Sequence, residues 1–343
     1  MKDHAGILLF VTTVFLLFSP QAVWSDDYMD SVKTGMLIDA QRLLFDDRFS
    51  AADSLYEIII ARYPDDPDGY FFRAAALMNE MIDREENLHE DRFLRLLATV
   101  ENIAGQKIPE ALPRTRAWMH LFAGHARAYR SIWESRFGSF ISALRAAFDA
   151  KGEYEKGLRA DSTLSDLYLG LGSYHYWKSA KAGVLRWVGL FKDQKEQGIE
   201  ELYRAAEHSL LSRESARTAL VWVWLDMKQY DSVIVIASTG AEKYPEGKSL
   251  LWPLAQAYFL EHDYTEALCV YRDLRAKISP DPGNYYNLIE CDYYIYKCLE
   301  NLEMPDEARQ AARRLREYLK QIPKDTAKRQ RSHIDELKRA ART

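Results

Sequence analysis

The chain has 343 residues and only three cysteines, Cys269, Cys291 and Cys298, too few for a disulfide scaffold. Cys291 and Cys298 stand seven apart on one expected helix, about 10 Å along its axis and beyond disulfide reach. Cys269 is left able to pair with one of them across a hairpin, but three scattered thiols read best as small buried apolar residues. Strand signals are also scarce. Val233-Ile234-Val235-Ile236 is β-branched, yet its register places it in a helix. The chain contains no phosphate-binding loop, no nucleophile elbow, no Gly-x-Gly-x-x-Gly turn after a strand and no His-Glu-x-x-His, which are the short motifs that carry a mechanism with them. His120 and His125 are five apart, about 140° around a helix, so they do not share a face. His89-Glu90 has no second histidine nearby. These absences set the expectation of a protein without enzymatic activity, cofactor or metal.

Long hydrophobic runs are missing except at the start. Ile7 to Phe18 is an apolar run of twelve residues ended by Ser19-Pro20, and Val23-Trp24-Ser25 follows with small residues where a signal peptidase reads. The run falls below the roughly twenty residues a membrane span needs. Residues 1–25 are therefore expected to be a signal peptide cleaved before Asp26, and the protein to be exported, periplasmic or secreted. The alternative is an uncleaved anchor, since Asp3 cancels Lys2.

What is present is apolar and aromatic: 48% and 13% of the chain, enough for a packed core and against disorder. The net charge of −5 hides an asymmetry. From Arg309 onward the balance is +8, which leaves −13 for the rest. Such a basic end reads either as the solvated cap of a helical array or as a surface for anionic lipid or an acidic partner. No fold signature of a nucleic-acid reader accompanies it.

The chain repeats at thirty-four residues. Leu251, Ala255, Tyr258, Tyr264, Ala267 and Tyr271 are matched thirty-four positions earlier by Arg217, Val221, Trp224, Tyr230, Val233 and Ala237. Ala40, Leu43, Phe49, Ala52, Tyr56 and Pro64 repeat the pattern, and Ala74 and Leu77 lie thirty-four beyond Ala40 and Leu43. Breakers at 64–67, 109–113, 245–247 and 279–282 separate the helical stretches. This period, filled with small and aromatic residues at helical spacing, predicts stacked two-helix hairpins.

On these residues the chain resembles the tetratricopeptide repeat proteins. Leu251, Leu254, Ala255, Tyr258, Ala267, Tyr271 and Pro280 fill that family's slots, with the proline one place late, and the Ala40 to Pro64 unit fits as well. The resemblance implies an all-α solenoid of about seven antiparallel hairpins over residues 26–308, with basic capping helices at 309–343. Two central units are longer: Gly124 and Ala150, and Gly172 and Gly198, are twenty-six apart where twelve is usual. That excess predicts two elongated hairpins, 114–136 with 140–159 and 164–187 with 194–208. Their apolar tips carry Trp133, Phe137 and Phe140, and Trp187, Leu190 and Phe191. Gly170-x-Gly172, Leu185, 188–191 with Asp193, and Gln197-Gly198-x-x-x-Leu202 are also similar to the family of tetratricopeptide domain protein thirty-nine.

The resemblance further implies a concave binding face. Its wall-facing slots project onto Phe71, Leu121, His125, Tyr129, Tyr176, Trp177, Trp222, Trp252, Phe259 and Tyr293. An aromatic strip of this kind grips an extended peptide or partner helix by area burial. The rival expectation is that these rings are core. The leading reading is thus an exported protein- or peptide-binding scaffold. The alternatives are a membrane-peripheral protein that uses the apolar tips and basic end, and an all-helical hydrolase with two acids across a cleft. For the last, the acid pairs are Asp65-Asp66, Glu85-Glu86 and Glu200-Glu201. Lys178, Lys181 and Lys192 near the second tip offer positive charge to an acidic ligand.

Overall fold

The structure, a computed structural model, describes residues 28–181, 192–281 and 283–342. The expected signal peptide and the tip bearing Trp187, Leu190 and Phe191 lie outside the described residues. Among the described residues the chain is all helical, with no strand. The helices are α1 (Ser31–Phe45), α2 (Phe49–Arg62), α3 (Pro67–Arg84), α4 (Glu90–Lys107), α5 (Pro113–Phe137) and α6 (Phe140–Ala160). They continue as α7 (Leu167–Lys181), α8 (Lys195–His208), α9 (Arg213–Asp226), α10 (Tyr230–Lys243), α11 (Leu251–Leu260) and α12 (Tyr264–Ile278). The chain ends with α13 (Tyr285–Asn301), α14 (Pro305–Arg313), α15 (Leu315–Tyr318), α16 (Lys324–Arg329) and α17 (Arg331–Ala340). From α1 to α14 each helix packs mainly on its sequence neighbours, odd-numbered helices also touch the next odd-numbered one, and α17 packs on α13 and α14. This is the organisation of an α-solenoid, with the odd helices forming one layer. The Val233–Ile236 run lies inside α10, so hairpin packing overrides its strand propensity.

Small residues set the helix spacing. Ala40 and Ala52, Val221 and Val233, and Ala255 and Ala267 are fully buried pairs twelve apart. The long hairpin bears out its expected span within a residue: α5 has 25 residues and α6 has 21, against 14 or 15 in α1, α2, α9 and α10. Between α7 and α8, Gly172 and Gly198 face each other so closely that a Cβ on either would stand 2.7 Å from the other's carbonyl oxygen. On the other side, the Tyr154 ring fills the space against Gly124 and Gly170, and a Cβ at Gly124 would come within 2.5 Å of it. The glycines are close-approach sites, as their place in a helical pattern suggested.

One regular device was not visible in the sequence. Five odd-numbered helices, α1, α3, α9, α11 and α13, end on a residue in the left-handed region that is not glycine: Asp47, Glu85, Lys228, His262 and Glu303, with φ between 54° and 64°. At each, the next N–H returns to the helix, as in Arg48 N–H to Leu43 O and Gln229 N–H to Trp224 O, both 2.9 Å. This is a Schellman closure, normally given to glycine. Another unforeseen element is Asp166, buried between hairpins, whose carboxylate accepts from the backbone N–H groups of Leu210, Leu211 and Ser212 at 2.8–2.9 Å. It pins the α8–α9 turn to the start of α7.

The thiols sort by position. Cys291 and Cys298 are fully buried, and burial pushes the Cys298 thiol up to about 12. Cys269, expected to be buried, is instead exposed and unpaired, because it falls on the outer face of α12, opposite Ala267, Tyr271 and Leu274. No helix among the described residues is long and apolar enough to cross a membrane.

Lys228 is exposed, so Lys228→Gly relieves left-handed strain of about 1–2 kcal/mol without losing a contact. The greater freedom of glycine in the unfolded chain takes back about half of this. The expected result is stabilisation of about 0.5–1 kcal/mol in urea unfolding; destabilisation would show that the closure is not strained.

Candidate functional site

The expected binding wall divides into three parts. At the N-terminal end it is filled by the protein's own rings. Phe71, from α3, is buried against His125, Tyr129 and Phe122 of α5, with centroids 5.0, 5.2 and 5.9 Å away. Leu121 is buried with them, and the Tyr28 ring closes over Trp118 and Phe122. Burial holds the His125 imidazole neutral, with its pKa down at about 3, and its Nδ1 shares a 2.8 Å hydrogen bond with the Tyr154 hydroxyl. Phe71, Leu121 and His125 are therefore core and Tyr129 is half-buried, which corrects their expected place on an open wall. The cause is the long α5, whose aromatic-rich first half lies under α3. Tyr176 is core too, with its hydroxyl donating to Asp226 at 2.7 Å.

At the other end, the terminal helices cover the wall. Tyr293 of α13 is stacked on His333 of α17, with centroids 3.8 Å apart, and Arg329 lies 4.4 Å over the Tyr286 ring. Between these two ends the wall is open. Trp222 is 39% exposed, on the α9 face that also carries the half-exposed Ser215, Thr218 and Leu225. Trp177 on α7, and Trp252 and Phe259 on α11, are half-exposed on the neighbouring odd helices. Lys181 lies 5.3 Å from the Trp177 ring, while Lys178 bonds Gln194 at 2.7 Å.

A seam where the coil returns upon itself has no counterpart in the sequence pattern. The α10–α11 turn meets the α1–α2 turn: Glu246 N–H donates to Asp46 at 2.9 Å, Lys248 N–H to Asp47 at 2.9 Å, and Phe45 stacks on Tyr244 at 5.3 Å. Lys248 Nζ lies 2.7 Å from Asp47 and 3.4 Å from Asp83. The Asn284 and Asn287 side chains both donate to the Asp83 carbonyl, Arg84 pairs with Asp281, and Glu85 binds both Arg136 and Arg329. Asp47 and Glu85 are two of the left-handed closure residues. Their side chains explain why glycine is absent there. Burial, opposed by the Lys248 charge, pushes the Asp83 carboxyl up to about 6.

The acid pairs named above are largely committed to structure. Asp66 binds Lys33 at 2.8 Å and Lys107 at 2.6 Å, Glu85 is in the seam, and Glu201 lies 2.6 Å from His175. His120 lies 2.7 Å from Glu153. Burial alone would raise the Glu153 carboxyl, but hydrogen bonds from His120 and Lys156 and the Arg127 charge hold it at about 2. A cleft of about 530 Å³ is lined by Asp53, Glu80, His89 and Arg92. There burial of Asp53 is outweighed by Arg73 and Arg92, and its carboxyl is held below the usual range. A second, open cleft of about 670 Å³ carries Glu200 and Glu207, both on α8. Among the described residues, no three His, Cys, Asp or Glu side chains gather as metal ligands. The chain matches no family model, and a comparison with curated proteins finds no significant relative.

The seam makes a signed prediction. The folded protein holds the Asp83 proton more tightly than the unfolded chain, whose aspartates titrate near 3.9. This contribution to stability is present below about pH 4 and is lost as pH rises through about 6. Asp83→Asn, which keeps the Asp47 pairing of Lys248, is expected to match the parent at pH 4. At pH 7.5 it should be more stable, by on the order of 2 kcal/mol, in paired urea titrations. A constant difference across this range contradicts it.

Proposed function

We propose that the protein is an exported, non-enzymatic scaffold that holds a protein or peptide segment against the open middle of its inner wall. In this reading the fold is a tetratricopeptide-like solenoid of about seven hairpins, led by a signal peptide and closed by basic capping helices. The observation that carries it is the exposure of Trp222 on the odd-helix layer, flanked by Trp177, Trp252 and Phe259. Large rings left at a surface, in a protein that buries Trp118, Tyr154, Tyr176 and Tyr271 almost completely, favour recognition over packing. Rigid indoles lose little entropy on binding, and stacked hairpins hold them at fixed spacing. The fold supplies a preformed surface, and binding requires no covalent step. Two filled ends limit the ligand to a short segment crossing α7, α9 and α11.

The test compares capture by immobilised protein, from Asp26 onward, with capture by Trp222→Ala and by Trp222→Ala with Trp252→Ala. Extract of the native compartment serves as bait source, and mass spectrometry reads what is retained. One ligand should be retained by the parent and lost by about tenfold in the single variant, the scale of a binding hot spot. Each variant's thermal midpoint should stay close to the parent's. Loss of stability by about 3 kcal/mol would mark the rings as core, and undiminished capture would remove them from the site.

A further inference from the structure

The α6 helix is apolar on two faces. Its small residues Ala143, Ala146 and Ala150 are turned inward and buried. Its large ones are turned outward: Phe140 is 73% exposed, Ile141 76%, Leu144 46% and Phe148 52%. At about 100° per residue, these four fall within a single arc of about 100°, roughly opposite the alanines. A helix of a folded domain normally does the reverse, burying its large side chains on the stripe that faces the core. The exposed stripe begins at the tip of the long α5–α6 hairpin, where Phe140 starts the helix, and continues to Phe148, which meets Tyr174 of α7 edge-on at 5.8 Å.

Cations border it. Arg145 stands on α6 beside the stripe, exposed and without an ion pair among the described residues. Arg136, at the end of α5, is joined through the Glu85 carboxylate to Arg329 of α16. This bridge brings the basic terminal helices to the hairpin tip. On α16, Lys324 and Lys328 are exposed and make no ion pair among the described residues. Glu134, the acid nearest the tip, is turned back to accept from Ser139 N–H at 3.0 Å.

From this juxtaposition we propose that the α5–α6 tip is a docking edge for an anionic membrane surface. Phe140, Ile141, Leu144 and Phe148 enter the boundary between headgroups and acyl chains, and Arg145, Lys324 and Lys328 meet the anionic headgroups. Charge complementarity decides the occupant. An apolar stripe alone would serve any hydrophobic partner, but large apolar side chains beside the exposed Arg145, on a hairpin tied through Arg136, Glu85 and Arg329 to a helix with two exposed lysines, match the interfacial helix, whose affinity joins area burial to headgroup attraction. The site is separate from the wall around Trp222 and does not depend on that assignment.

The experiment is flotation of the chain from Asp26 onward, which holds every described helix, with vesicles of phosphatidylcholine alone or enriched in phosphatidylserine. The protein should float with the anionic vesicles, less at high salt, and hardly at all with the neutral ones. Phe140→Ser with Ile141→Ser should lower binding by about tenfold or more. Lys324→Ala with Lys328→Ala should lower it several-fold and weaken its salt dependence. Both variants should keep the parent's thermal midpoint, and Trp222→Ala should float as the parent does. No flotation of the parent overturns the proposal, as does equal flotation of the serine variant. A fall in the serine variant's midpoint would show that another part of the chain covers the stripe. Conversion of a parent dimer to a monomer by the same change would assign it to a second copy; both results overturn the membrane assignment.

Discussion

The architecture rests on the contact between turns of the chain two hundred residues apart. Stacked hairpins by themselves contact only their neighbours and leave a free coil. Here the ends of α1 and α3 are tied to the starts of α11 and α13 by Glu246 to Asp46, by Lys248 between Asp47 and Asp83, and by Asn284 and Asn287 on the Asp83 carbonyl. Most of these bonds are made by backbone or partly buried groups, which water screens little. The seam converts a row of local contacts into a body with long-range constraint. Its cost is visible: Asp47 and Glu85 hold left-handed backbone without glycine, and Asp83 is charged at neutral pH only against its burial.

Packing of neighbouring odd helices determines which surfaces remain for binding. The contact of α3 with the long α5 fills the first part of the inner wall with Phe71, Phe122 and His125. At the other end, α17 covers Tyr293. The middle of the odd layer, at α7, α9 and α11, is left with its indoles half-open. Outside, the long α5–α6 hairpin extends past this arrangement, and Glu85 ties its tip to the basic last helices. A confined wall and an apolar edge thus follow from two lengths, the number of hairpins before closure and the excess in one of them.

Much of this was legible in the sequence because it is local or periodic. The Ala40–Ala52 and Ala255–Ala267 pairs, the glycines at 124, 172 and 198, and the span of α5 and α6 all follow from spacing, since small residues are needed wherever helix axes approach. Burial along the wall was not legible. Trp222 and Tyr176 occupy comparable inward slots, yet one is open and the other carries no exposed surface, because Tyr176 is turned against Gly198 and reaches Val223 and Asp226 of α9. The seam was invisible because Asp83, Lys248 and Asn287 are ordinary polar residues in sequence and meet only after several hairpins have stacked. Cys269 went astray by less, a single residue's rotation on α12.

Closure of the coil is most directly tested by a disulfide across the seam. With Cys269→Ala to remove the exposed native thiol, Asp46→Cys and Glu246→Cys put thiols on two residues that meet at the seam, where the Glu246 backbone N–H donates to the Asp46 carboxylate at 2.9 Å. Mild oxidation of the dilute protein should form the intramolecular bond in nearly every molecule, seen as a faster-migrating band and as the linked peptide by mass spectrometry. Thiols that stay free, or that join only between molecules, would mean that the coil is open and that the account of its inner wall is wrong.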